Sequence, residues 1–465
     1  MKGLKRLLLL VVLIVLGYLC WYIWNSFPII TGYSAKMACS CMFLGQRNLG
    51  SVEEQELGNF PLKLAKLELN KDSSVTASIA GMAKQTALYR PGLGCTLVNE
   101  LSKAQIKAQS WLLPAIPLVN PDTLNWPAGD RIPVDTAGLF HLAADKEAML
   151  RTAVQAAFTD QQPDQPLRTR AVVVVHKGKL VAEQYAPGYD RHHRQLSWSM
   201  AKSITGTLVG MLVKQGRLTI NQPAPVKEWQ NAADARAEIS LENLLQQTSG
   251  LDFEENYSKS TDATNMLFRK ADMAAYTAAH PLKDKPGTQF YYSSGNSNIL
   301  SGIIRTTLTD SFYHRFPYEQ LFYKLGMYSA VMEVDASGNF VGSSYVFATA
   351  RDWARLGMLY LQKGNWMGEQ LLPENWVALA TRPVSVAPMG EYGYQVWLNA
   401  GSAENSAQRK FPELPTDLYY FSGFEGQYVF IIPSQELVIV RLGQTAKSAW
   451  FNSQSFVKGI IEAIE

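Results

Sequence analysis

Ser199 stands three residues before Lys202 in the stretch LSWSMAKSITG, residues 196–206. A serine hydroxyl is a poor nucleophile until a base removes its proton. Lysine can be that base when its ammonium is desolvated or crowded by donors, so that its pKa falls. On a helix, positions i and i+3 project from one face within hydrogen-bonding reach. A helix start adds free N–H groups and partial positive charge, which favour the oxyanion of an acyl transfer. An exposed lysine on a helix start has the same spacing, so the pair alone decides little. Trp198 before the serine, and Ile204, Leu208, Met211 and Leu212 along one helix face after it, point to a buried site.

A histidine base finds no support. None of His141, His176, His192, His193, His280 and His314 stands in a setting that ties it to a nucleophile, and the chain has no G-x-S-x-G elbow. The histidines also lack metal-ligand spacing, so neither a metal nor a cofactor is expected. Two other stretches offer partners. PGTQFYYSSGNSNILSGIIR, residues 286–305, carries Tyr292 and Ser294 before a helical pattern. A tyrosine hydroxyl beside a Ser–Lys pair can relay the proton to a leaving group; a tyrosine packed in a core is the plainer reading. FSGFEGQYVFIIP, residues 421–433, leads into a strand, and Gly423 and Gly426 permit close backbone approach to a ligand. The N–H of Gln427 is then a candidate second oxyanion donor beside that of Ser199.

These three pieces, in this order, resemble the penicillin-recognising serine hydrolases: class C β-lactamases, DD-peptidases, related esterases and 6-aminohexanoate-dimer hydrolases. That family has S-x-x-K at a helix start, then Y-x-N or Y-x-S, then a K-T-G or H-x-G strand motif. Ser199–Lys202 matches the first element, and Tyr292–Ser293–Ser294 matches the second in its Y-x-S form. LLQQTSGLDF, ATARDWARLGMLYLQKG and YGYQVWL are also similar, and YRPGLGCTLV and NWPAGD are similar to one bacterial subgroup. The resemblance implies that Ser199 attacks, with Lys202 and Tyr292 as base and proton shuttle in an order left open. It implies substrate contacts at Ser294, Gly423, Phe424, Glu425 and Gly426. The third motif aligns at Phe424–Glu425–Gly426, where the family has a cation that holds a substrate carboxylate. Its loss speaks against β-lactams and D-alanyl peptides.

The elements that must position these residues read as strands, a helical insert, strands, then a helix. AVVVV and LVAEQY form a hairpin around HKGK, and QYVFIIP and LVIVRLG flank SQE as a second one. Helices are expected at residues 144–158, 199–215 (with Gly216 as the stop) and 448–464. The expectation is α+β: a β-lactamase/DD-peptidase-like antiparallel sheet flanked by helices, with a helical lobe beside it. Residues 30–100 alternate as a small β-rich region, and prolines 114, 117, 121, 127 and 133 make residues 101–140 an extended connector. The hydrolase domain then spans residues 141–465.

Lys2, Lys5 and Arg6 precede an uncharged apolar run from Leu7 to Trp24. Its length is at the lower edge of a membrane span, and the far end carries Trp21, Tyr22 and Trp24, which suit an interface. The exit CWYIWNSFP has no small-residue cleavage site, so a transmembrane anchor at residues 7–24 is favoured over a signal peptide. Residues 1–6 then form a cytoplasmic tail and the rest is extracytoplasmic, on the periplasmic side of the inner membrane. Cys39, Cys41 and Cys95 lie in that exported part, where disulfides form. The resemblance places Cys39 at the subgroup's position, which implies a Cys39–Cys95 bridge.

The net charge of +3 over 465 residues excludes a strongly basic nucleic-acid binder, and no such motif occurs. The sequence is thus expected to be a membrane-anchored serine esterase or amidase acting through an acyl-enzyme on small esters, amides or peptides. The alternatives are a non-catalytic envelope sensor of the same fold, and a DD-peptidase or β-lactamase.

Overall fold

The computed structural model describes residues 2–115, 117–132, 143–231, 233–402 and 404–465. The expected boundary at residues 140 and 141 lies outside the described residues. The chain opens with one helix, α1 (Lys2–Phe43). Its apolar first half is exposed, whereas Thr31, Ser34, Ala35, Ala38 and Ser40 are fully buried. This corrects the sequence reading, which ended the helix at residue 24 and began a β-rich region at 30. The small residues after Thr31 let the helix lie against a sheet, and that packing outweighs the polar composition that made the segment look non-helical.

The sheet under it is an antiparallel meander of β1 (Lys66–Asn70), β2 (Ser74–Ile79), β3 (Met82–Arg90) and β4 (Gly94–Leu97). Val75, Ala77, Ala87 and Cys95 share a core with Ala35, Ala38 and Cys39 of α1. Cys39 and Cys95 form a disulfide, with their Cα atoms 6.0 Å apart. Cys41 is a buried free thiol. Beside the disulfide, Lys36 of α1 forms a buried ion pair with Glu333 of the main body. Glu333 Oε1 also accepts from Ser40 Oγ at 2.9 Å and from the Cys95 N–H at 2.6 Å. The second half of α1 is therefore part of the folded body.

The main body begins with α2 (Ala144–Ala156), followed by the hairpin β5 (Thr169–His176) and β6 (Lys179–Tyr185). Then come α3 (Ala201–Lys214), α4 (Ser294–Thr307) and α5 (Ala350–Leu361), with shorter helices between them. The chain returns through β7 (Trp397–Leu398), β8 (Tyr419–Gly423), β9 (Gln427–Ile432) and β10 (Leu437–Gly443) and closes with α6 (Ser453–Ile464). The six strands form one antiparallel sheet in the order β7-β8-β9-β10-β5-β6, so the two ends of the domain meet at β10 and β5. Every residue of β5 and β10 is buried, because helices cover both faces. Val173, Val175, Val438 and Val440 pack with α5 residues such as Leu356 on one face. Val172, Val174, Leu437 and Ile439 pack with Leu150 and Val154 of α2 and Ile460 of α6 on the other. Side chains alternate across a strand, so one apolar run supplies both layers.

Candidate active site

The segment before α3 is held from three sides. Ser197 N donates to Val346 O at 2.8 Å, and a Cβ on Gly423 would lie 2.2 Å from Ser197 O, so the end of β8 touches this backbone. Trp198 has φ of +47°, a left-handed conformation that is strained for a bulky residue. It is fixed among the rings of Tyr33, Tyr345 and Phe424, at 6.0, 6.2 and 5.6 Å. A 3₁₀ turn, Trp198–Met200, then leads into α3. Ser199 is only half-buried on this turn, while Lys202, in the first turn of α3, is 1% exposed.

Lys202 Nζ lies 3.0 Å from each of Ser199 Oγ, Ser294 Oγ and Ser343 O. Burial lowers its pKa from 10.5 to about 8, against the opposing charge of Glu255. At neutral pH about a tenth of the molecules therefore carry a neutral amine. Ser294 and Ser343 accept its N–H groups, which leaves the lone pair for the Ser199 hydroxyl. Tyr292 faces the pair with its ring 4.8 Å from Lys202 Nζ. Desolvation, next to the charge of Tyr392, pushes the Tyr292 phenol well above its ordinary pKa, and a hydrogen bond with Ser199 opposes the rise. Tyr292 is thus a neutral phenol at working pH.

Two residues that sequence reasoning missed complete the network. Glu255 accepts from Ser294 N–H at 2.9 Å and from Ser294 Oγ at 2.6 Å, and Tyr257 OH donates to Glu255 at 2.6 Å. The signal was DFEENY, directly after the family-like QQTSGL, but it reads as a solvated acidic loop. Ser294 is fully buried between Lys202 and Glu255 and does not line the pocket at Ser199.

A pocket of about 570 Å³ opens at Ser199, and Trp198, Tyr257, Phe424 and Glu425 line it. Gly426 and Gln427 do not. Gly426 is buried, and its carbonyl accepts from Arg441 Nη1 at 2.8 Å. Gln427 begins β9 opposite Gly423, its side chain bonds Gly443, and it lines a separate crevice of about 20 Å³ with Arg170 and Glu56. The register of the third motif moves accordingly. Phe424–Gly426 is the turn after β8, and the last strand residues are Phe421–Ser422–Gly423. Phe421 is fully buried in the core against Tyr360, so no cation stands at this position in either register. Glu425 is half-buried, and desolvation raises its pKa to about 7, so it brings less negative charge than its type suggests.

Away from this site, the fold gathers Asp122, Asp130 and His192 within 4.8 Å, which the sequence spacing did not foretell. Asp130 is already paired there with Arg355 at 2.7 Å.

Residues 154–454 match the Beta-lactamase family. The chain is 26% identical over 296 residues to the 6-aminohexanoate-dimer hydrolase of Paenarthrobacter ureafaciens, a match covering 59% of this chain and 72% of that one. Among solved structures it is similar to EstCE1, a hydrolase with promiscuous acyltransferase activity: TM-score 0.55, 16% identity, covering 69% of this chain and all of that one (100%). It is also similar to a family VIII carboxylesterase: TM-score 0.52, 15% identity, with coverage of 70% and 98%. The architecture is thus the α+β β-lactamase/DD-peptidase-like fold. The chain belongs to the Beta-lactamase family and is a serine hydrolase of that class, whose members work through an acyl-enzyme.

Proposed function

We propose that Ser199 is the nucleophile, Lys202 its base and Tyr292 the proton relay, acting on neutral esters or amides. The observation that carries this is Lys202: buried, 3.0 Å from Ser199 Oγ, with a pKa of about 8. A phenol with a raised pKa is a poor resting base, so Lys202 takes the first proton. Ser199 Oγ bonds to the acyl carbon, and the proton passes through Tyr292 to the leaving alcohol or amine. Water then releases the acid. The N–H groups of Ser199 and Phe424, rather than Gln427, serve the oxyanion: Phe424 follows Gly423 at the strand end and lines the pocket beside Ser199. With no cation at Phe421 or Phe424, a carboxylate-bearing substrate forgoes a charge-assisted hydrogen bond of about 1.5–3 kcal/mol.

Residues 7–24 are read as a retained anchor, with the body on the extracytoplasmic side. The helix is long and apolar enough to cross a membrane, it runs unbroken into the buried core, and the disulfide fits an oxidising compartment. The β-rich region then comprises the second half of α1 together with β1–β4, and the hydrolase domain follows the connector.

A fluorophosphonate probe should label the wild type and not Ser199→Ala. The wild type should also cleave an uncharged p-nitrophenyl ester with a higher kcat/KM than a chromogenic cephalosporin. Labelling that persists in Ser199→Ala removes the assignment. A wild type that is neither labelled nor active favours a sensor of the same fold, and faster cephalosporin turnover returns the β-lactamase reading.

A further inference from the structure

The pocket that opens at Ser199 has the anchor helix as one wall. Leu19, Tyr22, Ile23, Phe27, Ile30 and Tyr33 of α1 all line it. The first three belong to the apolar run, so the cavity extends from the nucleophile to the membrane-spanning segment. At 1.5 Å per residue, the wall from Leu19 to Tyr33 is about 21 Å long. Leu267 and Phe268 line it too, next to α1 at Tyr33, and the exposed Phe60 and Leu64 mark its mouth. Phe60 is 73% exposed and Phe424 52%. Large apolar side chains exposed together beside a spanning helix mark a membrane-contacting surface. The charged side chains lining the cavity are Glu56, Lys259 and Glu425, and Lys259 is paired with Glu254 at 2.7 Å.

We infer that the substrate is a neutral long-chain acyl ester drawn laterally from the bilayer, its chain lying along α1 and its carbonyl at Ser199. This rests on the hydrolase and anchor readings above. A water-soluble substrate needs no such wall: an apolar channel reaching the span gives a hydrocarbon chain a continuous path that never crosses water. Moving hydrocarbon from a bilayer into water is unfavourable, and a chain that slides from the bilayer into the channel avoids that step. At Ser199 the ester C–O bond breaks as the Oγ–acyl bond forms, the departing alcohol takes the serine proton, and water then frees the fatty acid. The lining's cation, Lys259, is already paired with Glu254, so an anionic headgroup gains nothing there.

The test uses the full chain in phosphatidylcholine vesicles. The kcat/KM for p-nitrophenyl palmitate carried in the vesicles is compared with that for p-nitrophenyl butyrate in the water. A preference for palmitate of at least about tenfold is expected, because the membrane-held chain reaches Ser199 along the apolar wall whereas butyrate must enter from water. Ile23→Trp and Ile30→Trp fill the channel and should each lower that ratio by about tenfold or more. The ratio is read within each protein, so a loss of folded enzyme cancels. Butyrate cleaved as well as palmitate, or a ratio that neither variant moves, overturns the bilayer route while leaving the hydrolase reading intact. No cleavage of either ester and no fluorophosphonate labelling overturns the hydrolase reading itself.

Discussion

Among the described residues, two lysines lie almost fully inside this protein, in opposite electrostatic settings. Lys36 is 2% exposed and in direct contact with the Glu333 carboxylate. Lys202 is 1% exposed and meets two hydroxyls and a carbonyl, its nearest carboxylate, Glu255, lying one serine away. Burial lowers both pKa values, and at Lys36 the Glu333 charge and hydrogen bond oppose it directly. A buried ammonium with a direct counter-ion is a structural tie. One whose counter-ion stands behind a hydroxyl releases its proton more easily and can serve as a base. The difference is the placement of a single side chain, Ser294.

The largest effect should come from breaking the tie. Glu333→Ala removes the counter-ion of Lys36, leaves it Ser40 Oγ at 2.8 Å, and takes the acceptor from the Ser40 hydroxyl and the Cys95 N–H; it should cost about 3–5 kcal/mol in stability by thermal or urea unfolding. Glu333→Gln keeps an acceptor for Ser40 and the Cys95 N–H but puts an NH2 where Oε2 accepts from Lys36; it keeps the volume and two of the bonds, and should cost less. Equal, small losses in both would mean that the pair is not a tie.

Lys202→Met should lower turnover about 10²-fold or more. It also exposes the stability forgone by a base. The unfolded lysine holds its proton up to pH 10.5 and the folded one only up to about 8. Stability of the wild type relative to Lys202→Met should therefore climb by about 3 kcal/mol as pH rises through that window, and stay flat below pH 8. A flat difference throughout would place Lys202 among ordinary lysines.

The smallest effect sharpens the comparison. The wild-type kcat/KM should rise with pH to a plateau above about 8, as the amine becomes neutral. Glu255 raises the Lys202 pKa, so Glu255→Gln should move that limb to lower pH, by under about one unit. Movement to higher pH would remove Glu255 from the lysine's electrostatics.

The contact of Ser199 with Lys202 was legible because a single turn of chain carries both, and local spacing is what a sequence displays. The two hairpins were legible for the same reason: the valine run within Thr169–His176 and the Gln427–Ile432 strand announce themselves by composition. Glu255 was not, since its contact with Ser294 spans 39 residues and exists only after folding. Gly423 and Gly426 both fit the third motif in the sequence, and only the end of β8 separates them. The length of α1 was hidden because Asn25, Ser26 and Pro28 look like an exit, whereas the burial that carries the helix onward comes from β2, β3 and β4.

That continuous helix also makes residue count a setting of the enzyme's aim. Each residue in an α-helix advances 1.5 Å and turns about 100°. A single insertion between Trp24 and Phe27, ahead of the buried stretch that begins at Thr31, would leave both the apolar run and the folded body intact. It would swing the mouth at Phe60 around the helix axis by more than a quarter circle, and under the proposed bilayer route the opening would turn from lipid towards water.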